Sequence, residues 1–244
     1  MSNTVVVFGT SGALGHALAE EALRHYEYCD LFAISRSPSE HIAIHSGQKV
    51  SYLSGFDLHS EQSVSDIWQT ILDHSVPDLV LVATGLLHEE GLTPERRLSE
   101  LDPEALSRLL AVNLVGPAMI LKHLMGRLPR KAPCRIGVLS ARVGSTSDNR
   151  LGGWYSYRAS KAGLNQIIKT AAIELARSNP EAVLVGLHPG TVDSDLSAPF
   201  QANVPKGRLF SPDHSARLLM DVVLKLKPGQ SGRFFDWAGK EIDP

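Results

Sequence analysis

Strand-like and helix-like segments alternate along this chain from one end to the other, and this alternation constrains its fold most strongly. Residues 4–8 are a continuous run of β-branched and aromatic side chains, a pattern typical of a strand buried on both faces. Residues 13–26 follow with apolar side chains at helical spacing. Repeated alternation of this kind favours right-handed crossovers and a parallel sheet. The sequence therefore predicts a doubly wound α/β fold with helices on both faces of the sheet.

The remaining patterns predict a sheet of about seven strands. After residues 4–8, strand patterns occur at residues 31–35, 50–53, 78–83, 135–139, 182–187 and 233–236. After the first helix, helical patterns occur at residues 60–73, 104–128, 155–178 and 211–226. Ser60, Asp102 with Pro103, and Ser211 with Pro212 have the residue types that begin helices. Since no repeat or linker divides the chain, we expect one domain over residues 1–244.

Composition argues against several classes of function. The formal net charge is −2 and acidic and basic residues are interspersed, whereas nucleic-acid binding needs a clustered basic face. The ten histidines lack metal-ligand spacing, so we expect no metal site. We also expect Cys29 and Cys134 to be reduced thiols. No apolar stretch approaches the roughly 20 residues of a membrane span and no secretory signal is recognisable, so we expect a cytoplasmic location.

A glycine-rich turn joins the first strand to the first helix, and it predicts a dinucleotide site. Small residues at this position let backbone N–H groups and a helix N-terminus face a phosphate. The alternative is an ordinary tight turn, but the strand before it and the helix after it favour the Rossmann-type reading. The residues predicted to contact the cofactor here are Gly9, Ser11, Gly12, Ala13, Leu14 and Gly15.

Two residues after the second and third strands bear on which cofactor binds. In this type of sheet the residue just beyond the second strand meets the adenosine ribose, and an acid there suits NAD. Arg36 instead offers a cation with several donors, which suits a 2′-phosphate, so we predict NADP(H) over NAD(H). Asp57 could accept a hydrogen bond from the adenine amino group. The alternatives are a solvated surface arginine and an aspartate that caps the next helix.

Tyr157, Lys161 and Ser140 predict a group that can move a proton. Tyr157 and Lys161 are four residues apart, so on a helix they lie about one turn apart on one face. A phenol has a pKa of about 10, and a neighbouring cation lowers it. Ser140 closes a strand pattern at the sheet edge where ligands bind. The irregular segments 142–154 and 191–210 also leave this edge and are candidates to line or cover a cleft.

With Asn113, these residues resemble the short-chain dehydrogenase/reductase family in its single-domain form. The resemblance extends from the glycine turn to Pro189-Gly190, and Asn113 lies in the motif Val112-Asn113-Leu114-Val115-Gly116. The ending Phe234-Phe235-Asp236-Trp237 and the turn Ser11-Gly12-Ala13 look like the branch of C-factor and sniffer-like carbonyl reductases. The resemblance implies a strand order of 3-2-1-4-5-6-7 and a homodimer or homotetramer.

The resemblance also implies residue roles in the interconversion of a small-molecule carbonyl and an alcohol. Tyr157 exchanges the proton, Lys161 lowers its pKa and binds the nicotinamide ribose, and Ser140 orients the substrate oxygen. Asn113 distorts its helix and holds a water that links Lys161 to solvent. Ala83 and Gly85 after the fourth strand, and Pro189, Gly190 and Val192 after the sixth, are expected to border the cofactor.

The sequence departs from the family pattern at three places, and one of them supports a second reading. Ala13 replaces a glycine of the turn, Ala83-Thr84-Gly85 replaces Asn-Ala-Gly, and the interval from Ser140 to Tyr157 is longer than usual. The alternative function is a catalytically weak nucleotide-sensing or cell-signalling protein on the same fold. Ala13 favours it, whereas the intact Ser140, Tyr157 and Lys161 favour an enzyme.

Overall fold

A parallel sheet of seven strands organises the protein, as the alternation of the sequence predicts. The computed structural model describes residues 2–244, apart from the side chain of residue 203. The sheet strands are β1 (Asn3–Phe8), β2 (Cys29–Ile34), β3 (Gln48–Leu53), β4 (Leu79–Val82), β5 (Arg135–Leu139), β6 (Val183–His188) and β9 (Phe234–Asp236). Their order is β3-β2-β1-β4-β5-β6-β9 and all neighbours are parallel. Both the doubly wound fold class and the predicted order are therefore confirmed.

Helices cover both faces of this sheet. They are α1 (Ala13–His25), α2 (Glu61–His74), α3 (Pro103–Leu110), α4 (Gly116–Met125), α5 (Tyr155–Ser178) and α6 (Pro212–Leu224). Val5 and Val7 of β1 pack into the core that includes α1 and α6, whereas Val6 and Phe8 pack into the core that includes α2, α4 and α5. Alternate side chains of a strand point to opposite faces, so a strand between two helical layers must be apolar throughout.

The predicted helix starts are confirmed by their hydrogen bonds. The Ser60 hydroxyl accepts from the N–H of Ser63, and the Asp102 carboxylate accepts from the N–H of Ala105. The Ser211 hydroxyl accepts from the N–H of His214. Each side chain satisfies a first-turn donor that has no partner within its own helix.

The predicted helix at residues 104–128 is one continuous helical segment, Pro103–Met125, with a local distortion that periodicity did not predict. A π-helical turn at Ala111–Val115 separates α3 from α4, and the N–H of Gly116 bonds back to the carbonyl of Ala111. A π turn accommodates one extra residue and often marks a functional position. Periodicity missed it because the apolar pattern continues through the turn.

The expectation that no segment could cross a membrane also needs correction. The segment Pro103–Met125 is long and apolar enough by length and composition alone. In the structure it contains the π turn and the fully buried Asn113, and its two helices pack beside α5 and α2. One such helix is a weak indication, because helices packed on a sheet in soluble proteins pass the same test.

The irregular segment at residues 191–210 contains a small element that periodicity did not predict. Thr191–Val192 (β7) pairs with Leu209–Phe210 (β8), and between them Ala198–Asn203 forms 3₁₀ turns. The pairing closes the segment into a loop whose two ends meet beside β6. This loop covers the carboxyl ends of the central strands.

Candidate active site

A large cleft lies at the carboxyl ends of β1, β4, β5 and β6. Its volume is about 620 Å³, which falls in the range of small-molecule and cofactor sites. The lining residues lie at the ends of these strands or just after them, at the starts of α1 and α5, or in the covering loop. Ligands of open α/β sheets bind at this edge, so the predicted position of the site is the position of the cleft.

The glycine turn forms one end of the cleft, with Ser11, Gly12, Ala13, Leu14 and Gly15 in its lining. Gly9 has a φ of 92°, and a Cβ there would lie 2.9 Å from the carbonyl carbon of Ala83. A Cβ on Gly15 would lie 2.1 Å from the carbonyl oxygen of Gly9. Both positions therefore require glycine, for the backbone conformation at Gly9 and for close packing at Gly15.

The N-terminus of α1 faces this end of the cleft without an internal counter-charge. Gly12 is the N-cap, no side chain caps the helix, and its first turn contains no acid. Thr84 adds a buried hydroxyl that lines the cleft and finds no hydrogen-bond partner among residues 2–244. Free first-turn N–H groups and an unsatisfied hydroxyl suit a phosphate-bearing ligand. The residues present therefore fit the dinucleotide that the sequence predicts.

The other predicted cofactor residues divide into two groups. Ala83, Gly85, Pro189, Gly190 and Val192 line the cleft as expected. Arg36 is exposed and is not among the residues that line the cleft. It lies in the connection after β2, and this connection contacts the glycine turn through a hydrogen bond between Ser39 and Thr10. Asp57 is also absent from the lining of the cleft.

Asp57 occupies a turn before α2. Its carboxylate accepts a hydrogen bond from the N–H of His59 at 2.9 Å. The alternative of an aspartate that caps the next helix is wrong, because Ser60 is the N-cap of α2. The adenine contact stays a prediction.

The three predicted reacting side chains converge at the other end of the cleft. Tyr157 lies in the first turn of α5, Lys161 follows one turn later, and Ser140 follows the last residue of β5. The Lys161 Nζ lies 5.8 Å from the centroid of the Tyr157 ring and donates to the Leu139 carbonyl at 3.0 Å. The Tyr157 hydroxyl makes no hydrogen bond with another described residue, although the side chain is only 7 % exposed.

Burial changes the pKa values of this pair in opposite directions. It raises the pKa of Tyr157 well above the usual value of a phenol, and it lowers the pKa of Lys161 to about 8. Removal of water disfavours the charged form of each group, and burial is the cause of both shifts. The expectation that Lys161, with a cationic cofactor ring, lowers the pKa of Tyr157 stays a prediction for the protein with its cofactor bound.

Asn165 was not singled out in the sequence, yet it contacts Ser140 directly. The Ser140 hydroxyl donates to the Asn165 Oδ1 at 2.6 Å, and both side chains are buried. Asn165 lies four residues after Lys161, so helical spacing alone could have placed it on the reacting face of α5.

Asn113 fastens the connection after β4 to α5. Its Nδ2 donates to the Leu86 carbonyl at 2.7 Å and to the Ser160 hydroxyl at 3.1 Å. Its Oδ1 accepts from the Leu86 N–H at 2.8 Å. The amide of Asn113 therefore has hydrogen-bond partners within the protein. It lies in the π turn, which is the kind of helix distortion that the family resemblance implied. The water relay stays a prediction.

Glu95 is the second residue that the sequence did not reveal, because it lies in a polar connection that resembles solvated surface. It is only 4 % exposed, and its carboxylate accepts from both the N–H and the hydroxyl of Ser156. Its carbonyl accepts from the N–H of Trp154 at 2.5 Å. Trp154 has a φ of 55°, in the left-handed region. Glu95 thus fixes the start of α5 just before Tyr157.

Comparison with known proteins identifies the family. Residues 3–205 match the family model described as short chain dehydrogenase, and the chain belongs to this oxidoreductase family. It is 36 % identical over 146 residues to the C-signal of Myxococcus xanthus, which covers 59 % of this chain and 82 % of that protein. It is 26 % identical to 1-hydroxy-2-glutathionyl-2-methyl-3-butene dehydrogenase of Rhodococcus sp. (strain AD45), over 95 % of both chains.

Solved structures agree with this assignment. A short-chain dehydrogenase/reductase from Burkholderia multivorans with bound NADP has a TM-score of 0.80 and 25 % identity, with complete coverage of both chains. The carbonyl reductase Sniffer of D. melanogaster has a TM-score of 0.78 and 20 % identity, also with complete coverage, and this likeness concerns the fold alone. The predicted resemblance to the family is therefore confirmed.

Proposed function

We propose that this protein is an NADP(H)-dependent oxidoreductase that interconverts a carbonyl and an alcohol, with Tyr157 as general acid and base. The observation that carries the proposal is Tyr157, which lines the cleft beside the buried Lys161 and Ser140 and whose hydroxyl has no hydrogen-bond partner among the described residues. A structural tyrosine buried to this extent ordinarily uses its hydroxyl in an internal hydrogen bond.

The cofactor is proposed to lie along the cleft from the glycine turn to Tyr157. The N-terminus of α1 and the turn around Gly12 would hold its phosphates, and Pro189, Gly190 and Val192 would border its reactive end. When bound, the nicotinamide supplies or accepts a hydride. The protein contributes a position for the substrate and a proton.

Tyr157 is proposed to deliver that proton to the carbonyl oxygen during reduction. Because burial raises its pKa, the phenol is fully protonated near neutral pH and is ready to donate. The Lys161 ammonium, held by the Leu139 carbonyl, would stabilise the phenolate that remains. Ser140 would hold the same substrate oxygen, with its own orientation set by Asn165.

The Tyr157→Phe variant tests this role, because phenylalanine keeps the packing and removes only the hydroxyl. We expect kcat for ketone reduction to fall by about 10²–10⁴-fold, the usual contribution of general acid–base catalysis, with cofactor affinity nearly unchanged. Tyr155→Phe is the matched control, since Tyr155 is exposed two residues earlier. An unchanged kcat in Tyr157→Phe would end the proposal.

The preference for NADP(H) rests on Arg36, which is exposed and forms no ion pair with another described residue. The relative from Burkholderia multivorans that binds NADP supports the same choice. Arg36→Ala is expected to weaken NADPH binding by about 10–150-fold, since hydrogen bonds to charged groups contribute about 1.5–3 kcal/mol. Binding of NADH should change little. Equal effects on both cofactors, measured by titration, would contradict the preference.

Three broader features are part of the same proposal. We expect one domain, a reducing cytoplasmic setting that suits the two buried free cysteines, and a homodimer or homotetramer. Val115 in the π turn and Ile167 and Ile173 on α5 are exposed apolar side chains that an interface would cover.

A second function, nucleotide sensing or cell signalling with little turnover, is favoured by one observation, the similarity to C-signal. Cofactor binding without turnover on a broad panel of aldehydes, ketones and quinones would support it. Turnover that depends on Tyr157 would exclude it as the main activity.

A further inference from the structure

We propose that the substrate is an uncharged aryl ketone or aldehyde, recognised by an aromatic cluster of Trp154, Phe200 and His88 beside Tyr157. This inference rests on the proposed carbonyl chemistry and specifies its substrate class. The three rings come from different parts of the chain: the start of α5, the covering loop, and the connection after β4.

The rings make edge contacts with one another and with the reacting phenol. Trp154 lies 5.0 Å from Phe200 between ring centroids, and His88 lies 5.6 Å from Phe200. Trp154 lies 6.1 Å from Tyr157 at an interplanar angle of 79°. All four side chains line the cleft. A carbonyl that bonds the Tyr157 hydroxyl therefore has its substituent within reach of the indole, where aromatic rings favour edge and offset packing.

The cluster is held in place before any substrate arrives. The left-handed conformation of Trp154 is fixed by the hydrogen bond from its N–H to Glu95. The His88 Nε2 donates to the Asp195 carbonyl at 2.9 Å, which ties the covering loop to the connection after β4. Leu86, Leu87, Leu196 and Val143 pack around these rings and extend the apolar wall. A preformed apolar wall binds a rigid ring at little entropic cost.

Charge at the same end of the cleft disfavours an anionic substrate. Arg142 lines the cleft but forms an ion pair with Asp148 at 2.9 Å. Lys161 donates a hydrogen bond to the Leu139 carbonyl. The Asp195 side chain adds an exposed carboxylate at the lining. Among the described residues of this wall, both cations have partners within the protein, so the surroundings of Tyr157 suit a neutral aromatic group better than a carboxylate or phosphate.

Three matched ketones test the inference on the NADPH-loaded enzyme: acetophenone, cyclohexyl methyl ketone and 4-acetylbenzoate. We expect kcat/KM to be about tenfold higher for the phenyl than for the cyclohexyl ketone, and lowest for the carboxylate. Trp154→Leu and Phe200→Leu should each reduce the phenyl-to-cyclohexyl ratio about 3–10-fold, the range that an aromatic pair contributes. Leu151→Ala is the control and should leave the ratio unchanged, because Leu151 lies on the same loop as Trp154 but is 93 % exposed.

The outcomes separate this inference from the proposed function. Turnover with equal phenyl and cyclohexyl rates, or with a ratio that neither leucine variant moves, overturns the aromatic site and leaves the oxidoreductase standing. If no ketone is reduced, calorimetric binding of the same probes decides: acetophenone binding that Trp154→Leu or Phe200→Leu weakens supports the site, and absence of binding overturns it. The two variants lie on different elements, so a folding defect in one leaves the other as the test.

Discussion

At the scale of single residues, the environment of Lys161 shows how burial and charge compete. The side chain is 3 % exposed, and burial lowers its pKa to about 8. A lysine in the unfolded chain titrates near 10.5. Between these values the unfolded chain binds more protons than the folded protein, so this residue makes the free energy of unfolding rise with pH. Below about pH 8 both states are protonated, and the buried cation destabilises the fold by its full amount.

Lys161→Met should remove this pH dependence, because methionine has a similar length and no charge. The free energy of unfolding of the wild type, minus that of the variant, is expected to rise by up to about 3 kcal/mol from about pH 8 to about pH 10. Chemical denaturation across this range measures it. The buried thiols and Tyr157 titrate in both proteins and cancel in the difference. Lys169→Met on the same helix is the control, and a flat difference would contradict the buried cation.

At the scale of elements, α5 carries the reacting face of the site. Tyr157, Lys161 and Asn165 follow one another at intervals of four residues, so one helix aligns all three along the cleft. Glu95, about sixty residues earlier in the chain, binds the start of this helix. Asn113 in the π turn binds Ser160 on the same helix, which also packs against α3. The orientation of α5 therefore depends on contacts that are distant in sequence.

Glu95→Ala should loosen the start of α5. Loss of a buried carboxylate that accepts two hydrogen bonds is expected to lower the free energy of unfolding by about 2 kcal/mol, and kcat should fall because Tyr157 is less well positioned. Thermal unfolding and steady-state kinetics measure the two effects. Glu90→Ala in the same connection is exposed and should alter neither. A variant as stable and active as the wild type would show that the helix start needs no cap from Glu95.

At the scale of the whole molecule, the exposed apolar side chains on α5 bear on assembly. Val115, Ile167 and Ile173 are 47 %, 36 % and 49 % exposed. Isolated exposed apolar residues are common in monomers, but several on neighbouring elements can mark an interface. Burial of this surface in a partner would also brace the helix that carries Tyr157.

Sedimentation at micromolar concentration should give a dimer or a tetramer for the wild type. Ile167→Glu is expected to shift the protein towards monomer, because an interface excludes an unpaired carboxylate. Val76→Glu, at an apolar position between α2 and β4 that is 38 % exposed, should leave assembly unchanged. A monomeric wild type would rule out the predicted oligomer.

Short-range patterns in the sequence were sufficient to predict the sheet, the helix starts and the edge of the sheet at which the cleft opens. These features follow from side-chain periodicity and from local hydrogen bonds such as those of Ser60 and Asp102. The strand order was predicted through the family resemblance. The convergence of Ser140, Tyr157 and Lys161 was also predictable, since each lies at a recognisable position of a strand or helix. The distortion at Asn113 was predicted only through the family resemblance, because the apolar periodicity is unchanged there, and its bonds to Leu86 and Ser160 join segments distant in sequence.

Tertiary structure alone decided the protonation and the surroundings of the reacting groups. A pKa depends on how much water surrounds a group, and the spacing of Tyr157 and Lys161 does not specify that burial. Asn165 and Glu95 acquire their partners across 25 and 61 residues of chain, and the aromatic cluster joins three separate connections. The sequence determined which chemical groups are present and on which elements, whereas packing of distant segments determined what each group touches.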